Sequence, residues 1–179
     1  MTVLESAEHG FLGGYLVLNH HGRPLEFHCT APVRPNRAQE ILYGTTLKPY
    51  LFGDQIGQTL WSQSKKVPHI IYTDLVEVLQ VRQFIPHPVV LIVDQNKSTM
   101  NHSRMPAHSR VDTAHTNNRA PHVDQLQAFC SGEYALAIPE AYSEDKTIVL
   151  EQCESLGESF DLQEPLDRIR FAIQEAQLQ

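Results

Sequence analysis

The most continuously apolar run of the chain, Pro88-Val-Val-Leu-Ile-Val-Asp94, ends abruptly on a carboxylate. A short, β-branched run that is bounded by proline on one side and by polar residues on the other is typical of a strand buried on both faces. A similar run, Val67 to Asp74, precedes it, and residues 75–83 between them have helical apolar spacing. Strand, helix and strand with short connections predict a βαβ unit with parallel pairing.

The residues before this unit predict a β-hairpin followed by two helices. Two apolar-alternating runs surround an Asn-His-His-Gly turn at residues 19–22, in which Gly22 is expected to have a positive φ. Asn36 is placed to cap a helix through Tyr43, and a second helix is predicted from about Lys48 to Ser64. On the second hairpin strand, alternation predicts that Leu25, Phe27 and Cys29 face inward. Glu26 and His28 are then expected to face outward.

The remaining segments complete an α/β prediction. Residues 1–12 are expected to form a loosely held N-terminal arm, and the almost entirely polar residues 95–125 a flexible insertion. Lys146 to Leu150 reads as a last strand, and Glu164 begins a C-terminal helix. The fold class predicted for residues 1–179 is a single layered α/β domain with a mostly parallel or mixed sheet, an N-terminal β-hairpin, a long polar loop and a C-terminal helix.

Composition narrows the classes of partner. The formal net charge of -7 argues against a general nucleic-acid or anionic-membrane surface, because both require clustered Lys and Arg. No run approaches the roughly 20 apolar residues of a membrane span, and the N-terminus lacks a signal-peptide pattern. The three cysteines are far apart and fit neither a disulfide framework nor a zinc site. We therefore expect a cytoplasmic protein.

Two aspartates are candidates for a divalent-cation site. Asp74 and Asp94 end two strands that are predicted to be parallel neighbours, and open α/β sheets bind ligands at that edge. The alternative is that each aspartate caps the segment that follows it. Asp94, Asn96 and Ser98 also resemble the Asp-x-Ser-x-Ser metal motif of von Willebrand A-type domains, with Asn96 in place of the first serine. In that family the motif follows the first strand of the domain, whereas here it lies halfway along the chain.

The polar insertion carries four histidines that could be mistaken for a metal site. His102, His108, His115 and His122 lie six or seven residues apart, without a neighbouring cysteine or a closely spaced histidine. Ligands at this spacing in a flexible segment form no preorganised site. A solvated insertion is the favoured interpretation.

The sequence contains no recognised catalytic motif. It has no Gly-x-Ser-x-Gly elbow, no Gly-x-Gly-x-x-Gly loop and no P-loop lysine. One group of basic residues is a candidate for binding an acidic partner, and it consists of Arg23, Arg34, Arg37 and Lys48 with Tyr43. A solvated surface would also explain this group.

These observations predict a non-enzymatic module that acts through protein-protein contacts, with self-association through the hairpin edge or the last helix as one form of contact. The alternative is a divalent-metal-dependent hydrolase of the phosphoester class that uses Asp74 and Asp94. No other cofactor is expected.

Overall fold

The computed structural model describes residues 1–93, 125–156 and 160–177. The strands, in chain order, are β1 (Thr2–Ser6), β2 (Gly10–Leu18), β3 (Pro24–Cys29), β4 (Ile71–Thr73), β5 (Val89–Val93), β6 (Leu126–Ser131) and β7 (Tyr134–Pro139). They form an antiparallel sheet of order β1-β2-β3 and a mixed sheet of order β4-β5-β7-β6. Only β4 and β5 are parallel among the described strands, and the predicted α/β class with a mixed sheet is confirmed.

The helical elements include two stretches that depart from α-helical geometry. In chain order they are α1 (Arg37–Tyr43), a 3₁₀ turn (Gly44–Thr46), α2 (Leu47–Pro49), a π-helical segment (Tyr50–Gly57), α3 (Gln58–Gln63), a 3₁₀ helix (Val76–Gln83), a 3₁₀ turn (Glu140–Tyr142), α4 (Asp145–Leu156) and α5 (Glu164–Gln177). The predicted helices before and after the central strands are thereby confirmed, although residues 76–83 form a 3₁₀ helix.

The hairpin forms where local signals place it. The Asn19 side-chain oxygen accepts hydrogen bonds from the backbone amides of His21 and Arg23 at 3.0 and 2.9 Å, and Gly22 has a φ of 74°. Since such a φ is costly for any residue with a Cβ, glycine suits this turn. The prediction of a loose arm over residues 1–12 is wrong, because β1 pairs with β2 from Thr2 opposite Gly14 onward.

The antiparallel sheet is packed between helices on both faces. Tyr15 and Val17 of β2 belong to a core cluster with Leu51 and Leu60 of the helical run 50–63. Leu12, on the opposite face, belongs to a second cluster that includes residues of α5. In α5, Leu166, Ile169 and Ile173 recur at helical spacing and are all buried.

The predicted last strand over Lys146 to Leu150 is wrong. These residues lie in α4, of which only Asp145 and Val149 are buried. Asp145, in the first turn of α4, forms an ion pair with Arg82 at the end of the 3₁₀ helix. The β-branched composition of residues 146–150 favours a strand locally, but these residues form a helix whose first turn makes a contact distant in sequence.

Among the described helices, none combines the length and the apolar composition that crossing a membrane requires.

Candidate functional site

Strand β3 presents its apolar side chains to solvent, which reverses the faces predicted from the sequence. Leu25 and Phe27 are 49% and 42% exposed, and Cys29 is also exposed, whereas Glu26 and His28 are partly buried. In the described part of the chain, β3 pairs with β2 alone and is therefore an edge of its sheet. A free edge with exposed apolar residues is a candidate association surface.

The buried side of β3 is fixed by Glu26. Its carboxylate accepts hydrogen bonds from the Ser64 hydroxyl at 3.1 Å and from the Lys65 amide at 3.0 Å, and lies 3.1 Å from Nε2 of His28. Partial burial alone would raise the pKa of Glu26, but the hydrogen bonds from His28, Lys65, Ser64 and Lys66 outweigh it and lower that pKa to about 2. The ionised carboxylate therefore holds β3 against the segment that follows α3.

Replacing Glu26 with glutamine should lower the melting temperature at pH 7 and remove part of the acid sensitivity. The folded pKa of about 2 lies below the ordinary value of 4.5, so the carboxylate contributes stability above pH 4.5 and loses it as pH falls toward 2. The difference in melting temperature between wild type and Glu26→Gln should accordingly shrink across that window. Circular dichroism melts at pH values from 7 to 3 would measure it.

The control for this experiment is Glu40→Gln. Glu40 lies on α1 in an exposed pair with Arg37, and such pairs contribute little. Its melting curves should follow those of the wild type at every pH. A Glu26→Gln difference that stayed constant down to pH 3 would show that its ionisation is not what holds β3.

Helix α1 forms a second exposed apolar surface. Asn36 and Gln39 form a reciprocal capping box, which stabilises the start of the helix locally. None of its residues is buried, and Ile41 and Leu42 are 69% and 81% exposed. The helix is thus well capped while its apolar side chains have no core to pack against.

The basic residues predicted to bind an acidic partner do not all lie together. Arg23 directly precedes β3. Nε of Arg34 donates to the His9 carbonyl at the other end of the antiparallel sheet. Arg37 pairs with Glu40 at 3.0 Å, and Lys48 lies 3.4 Å from Glu5.

Tyr43, the aromatic member of that predicted set, stacks on a neighbouring tyrosine. Its ring centroid is 4.3 Å from that of Tyr50, whose hydroxyl accepts a hydrogen bond from Gln55. The hydrogen bond with Tyr50 and partial burial raise the pKa of Tyr43. The acidic-partner prediction remains a prediction, since no bound partner is present.

Asp74 of the predicted metal site is engaged by other side chains. Its carboxylate contacts the Arg170 guanidinium and accepts a 2.8 Å hydrogen bond from the Thr2 hydroxyl. The Leu75 amide donates to the Thr73 hydroxyl at 3.2 Å, and the 3₁₀ helix that begins at Val76 has no side-chain capping hydrogen bond, so Asp74 does not cap it. Asp74 therefore connects β4 with β1 and α5.

The other three predicted ligands, Asp94, Asn96 and Ser98, lie outside the described residues, as do the four histidines of the polar insertion. Within the described ranges, no cluster of three or more His, Cys, Asp or Glu side chains could hold a metal ion. The divalent-cation site and the hydrolase that depends on it remain predictions.

Asp54 is a polar residue that the sequence pattern misplaces. Helical spacing puts it on the solvated side, but it is half-buried in the π-helical segment, and its Oδ1 atom has no hydrogen-bond partner among the described residues. Burial raises the pKa of this carboxyl group. A π-helical segment shifts residues off the 3.6-residue period, and no feature of the sequence marked it.

Comparisons of the chain with protein-family models, with curated proteins and with solved structures find no match.

Proposed function

We propose that this protein is a non-enzymatic cytoplasmic module that works through protein-protein contacts, and that its primary contact is a homodimer formed by antiparallel pairing of two β3 edges. The observation that carries the proposal is the exposure of Leu25, Phe27 and Cys29 on an edge strand. Between Leu25 and Cys29 the strand has neither lysine nor proline, the residues that commonly prevent edge-to-edge association.

The sequence of β3 is complementary to itself when two copies pair about a two-fold axis. With Phe27 opposite Phe27 of the second copy, Leu25 of each copy faces Cys29 of the other, so that exposed apolar side chains meet on one face. On the opposite face, Glu26 of each copy is placed across from His28, and a carboxylate beside an imidazole is favourable. The two three-stranded sheets would become one continuous sheet of six strands.

Phe27→Asp should convert the dimer to a monomer, because it places two carboxylates opposite each other at the centre of the paired edges. Sedimentation velocity over a micromolar concentration series would measure the change. Phe171→Asp is the matched control, since Phe171 is 69% exposed on α5 and its substitution tests self-association through the last helix. We expect the control to remain dimeric.

The pairing register has its own test. Leu25→Cys should form a disulfide with Cys29 of the second copy under mild oxidation, because residues opposite each other in antiparallel strands approach disulfide distance. Leu25→Cys/Cys29→Ser should not form a covalent dimer. A wild-type protein that sediments as a monomer, or a dimer that Phe171→Asp dissociates and Phe27→Asp does not, would overturn the proposal.

A further inference from the structure

A cleft of about 500 Å³ lies between the end of β2, residues 66–72 and the helices α4 and α5. The β1–β2 ladder ends at Thr2 and Gly14, and the following residues of β2, Tyr15 to Leu18, pair with β3 alone among the described strands. These residues line the cleft instead of meeting a second strand. The volume is within the range of small-molecule sites, about 300–1,000 Å³.

The walls of the cleft are apolar. β2, residues 66–72, α4, α5 and the residues before α5 all contribute to the lining. The apolar lining includes Leu16, Ile70, Leu156, Phe160, Leu162 and Ile169. Burial of a hydrocarbon chain against such walls is favourable, because it removes apolar surface from water.

Among the described lining residues, the exposed ionisable side chains are basic. Lys66, His20 and His69 line the cleft and are exposed, whereas no described lining residue is Asp or Glu. The Glu26 carboxylate of β3 accepts hydrogen bonds from Ser64 and Lys65 and does not line the cleft.

A buried polar atom lies in the same wall. Tyr15 lines the cleft and is 2% exposed, and its hydroxyl has no hydrogen-bond partner in the described part of the chain. Tyr15 packs with Leu51 and Leu60 on the face of β2 opposite to Leu16, so its hydroxyl is not assigned to a ligand in the cleft. The cleft thus combines an apolar interior with a basic rim.

We propose that the cleft binds an amphiphile with an anionic head, of the medium-chain carboxylic acid class. The alkyl chain packs between Leu16, Ile169 and their apolar neighbours, and the carboxylate lies at Lys66 and His69. This ligand differs from the second copy of the chain in the proposed dimer, and its binding does not require that dimer.

The probe is decanoate, measured by isothermal titration calorimetry on the full chain below its micelle concentration. We expect saturable binding of one decanoate per chain, weaker binding of decanol and the weakest binding of decyltrimethylammonium. Lys66→Glu should weaken decanoate binding by about tenfold or more, the loss expected for a charge-assisted contact, while changing decanol binding little.

Lys65→Glu is the matched control, because it makes the same change of charge at a neighbouring exposed residue that does not line the cleft. Ser155→Trp provides a second variant, since Ser155 is an exposed residue of α4 at the cleft and a bulky side chain there should reduce binding of decanoate and decanol alike. Thermal melts of each variant would establish that it is folded.

Equal weakening of decanoate binding by Lys65→Glu and Lys66→Glu would overturn the proposed head-group site. Equal affinities for the three decyl compounds, or no decanoate binding at millimolar concentration, would also overturn the proposal. Calorimetry of the Phe27→Asp variant with decanoate, beside its sedimentation, distinguishes the two proposals, because a monomer that still binds decanoate supports this site independently of the dimer.

Discussion

Asp145→Ala should lower the free energy of unfolding by about 3–5 kcal/mol, the cost of removing one partner from a buried ion pair. The Asp145 carboxylate accepts hydrogen bonds from Nε and Nη2 of Arg82 at 2.7 and 3.1 Å. The side chains of Arg82 and Asp145 are 13% and 2% exposed. Alanine would leave the guanidinium charge in a poorly hydrated position without its ion-pair partner.

The surroundings of Arg82 reinforce this expectation. Its Nη1 atom donates to the Ile85 carbonyl at 2.9 Å, and its guanidinium carbon lies 4.2 Å from the centre of the Tyr142 ring. The hydrogen bond to Asp145, opposed in part by burial, raises the pKa of Arg82 above its usual value. Because that value is already far above neutrality, Arg82 keeps its charge and cannot relieve the loss of Asp145 by releasing a proton.

Chemical denaturation at pH 7 would measure the change in the free energy of unfolding. Glu40→Ala removes one partner of an exposed arginine pair and should cost about 1 kcal/mol or less. Replacing both partners, as in Arg82→Met/Asp145→Leu, should cost less than the sum of the single changes, because no charge is left unpaired. If Asp145→Ala cost no more than Glu40→Ala, the pair would not be a structural determinant.

The strand predicted over residues 146–150 was wrong because local sequence carries no information about this ion pair. Thr147, Ile148 and Val149 are β-branched and favour a strand locally. Asp145 and Arg82 are 63 residues apart, so the sequence pattern around Asp145 contains no sign of its partner. Local propensity therefore predicted the wrong type of element at a position where a tertiary contact forms.

The hairpin shows which part of a pattern can be predicted. Asn19 and Gly22 act within a few residues, and both the turn and its position follow from them. Alternation along β3 correctly divides its side chains into two faces but does not determine which face is buried. The Glu26 face is the one that is partly buried, and it contacts Ser64, 38 residues away, a contact that local sequence does not reveal.

The candidate sites divide in a similar way. The ends of β4 and β5 could be predicted because apolar runs stop there, and Asp74 does follow β4. Its contact with Arg170 depends on how α5 packs, which no spacing in the sequence specifies. The cleft was not predicted at all, because its lining comes from four separated parts of the chain that only the fold brings together.

Gly14→Ala should lower the free energy of unfolding by about 1–3 kcal/mol, and Gly14→Val by more, through overpacking. Gly13 and Gly14 are adjacent in β2 and face opposite sides of the sheet, where each meets a helix. A Cβ atom on Gly14 would collide with Ile169 and lie 2.8 Å from Cδ1 of Ile173, whereas one on Gly13 would collide with Ile56. In an open strand, alanine would instead be favoured over glycine by about 0.5–1 kcal/mol.

A double-mutant cycle with Ile169 tests whether this close approach is the cause. Ile169→Ala alone should cost about 2–5 kcal/mol, because it leaves a cavity between α5 and the sheet. In Gly14→Ala/Ile169→Ala the new methyl group occupies space that the isoleucine has vacated, so the double variant should be more stable than the sum of the single changes predicts. Gly13→Ala/Ile169→Ala is the control, since Gly13 faces Ile56 on the other side of the sheet, and its two effects should simply add. If urea denaturation showed additive effects in both pairs, a contact other than that between Gly14 and Ile169 would set the distance of α5 from the sheet.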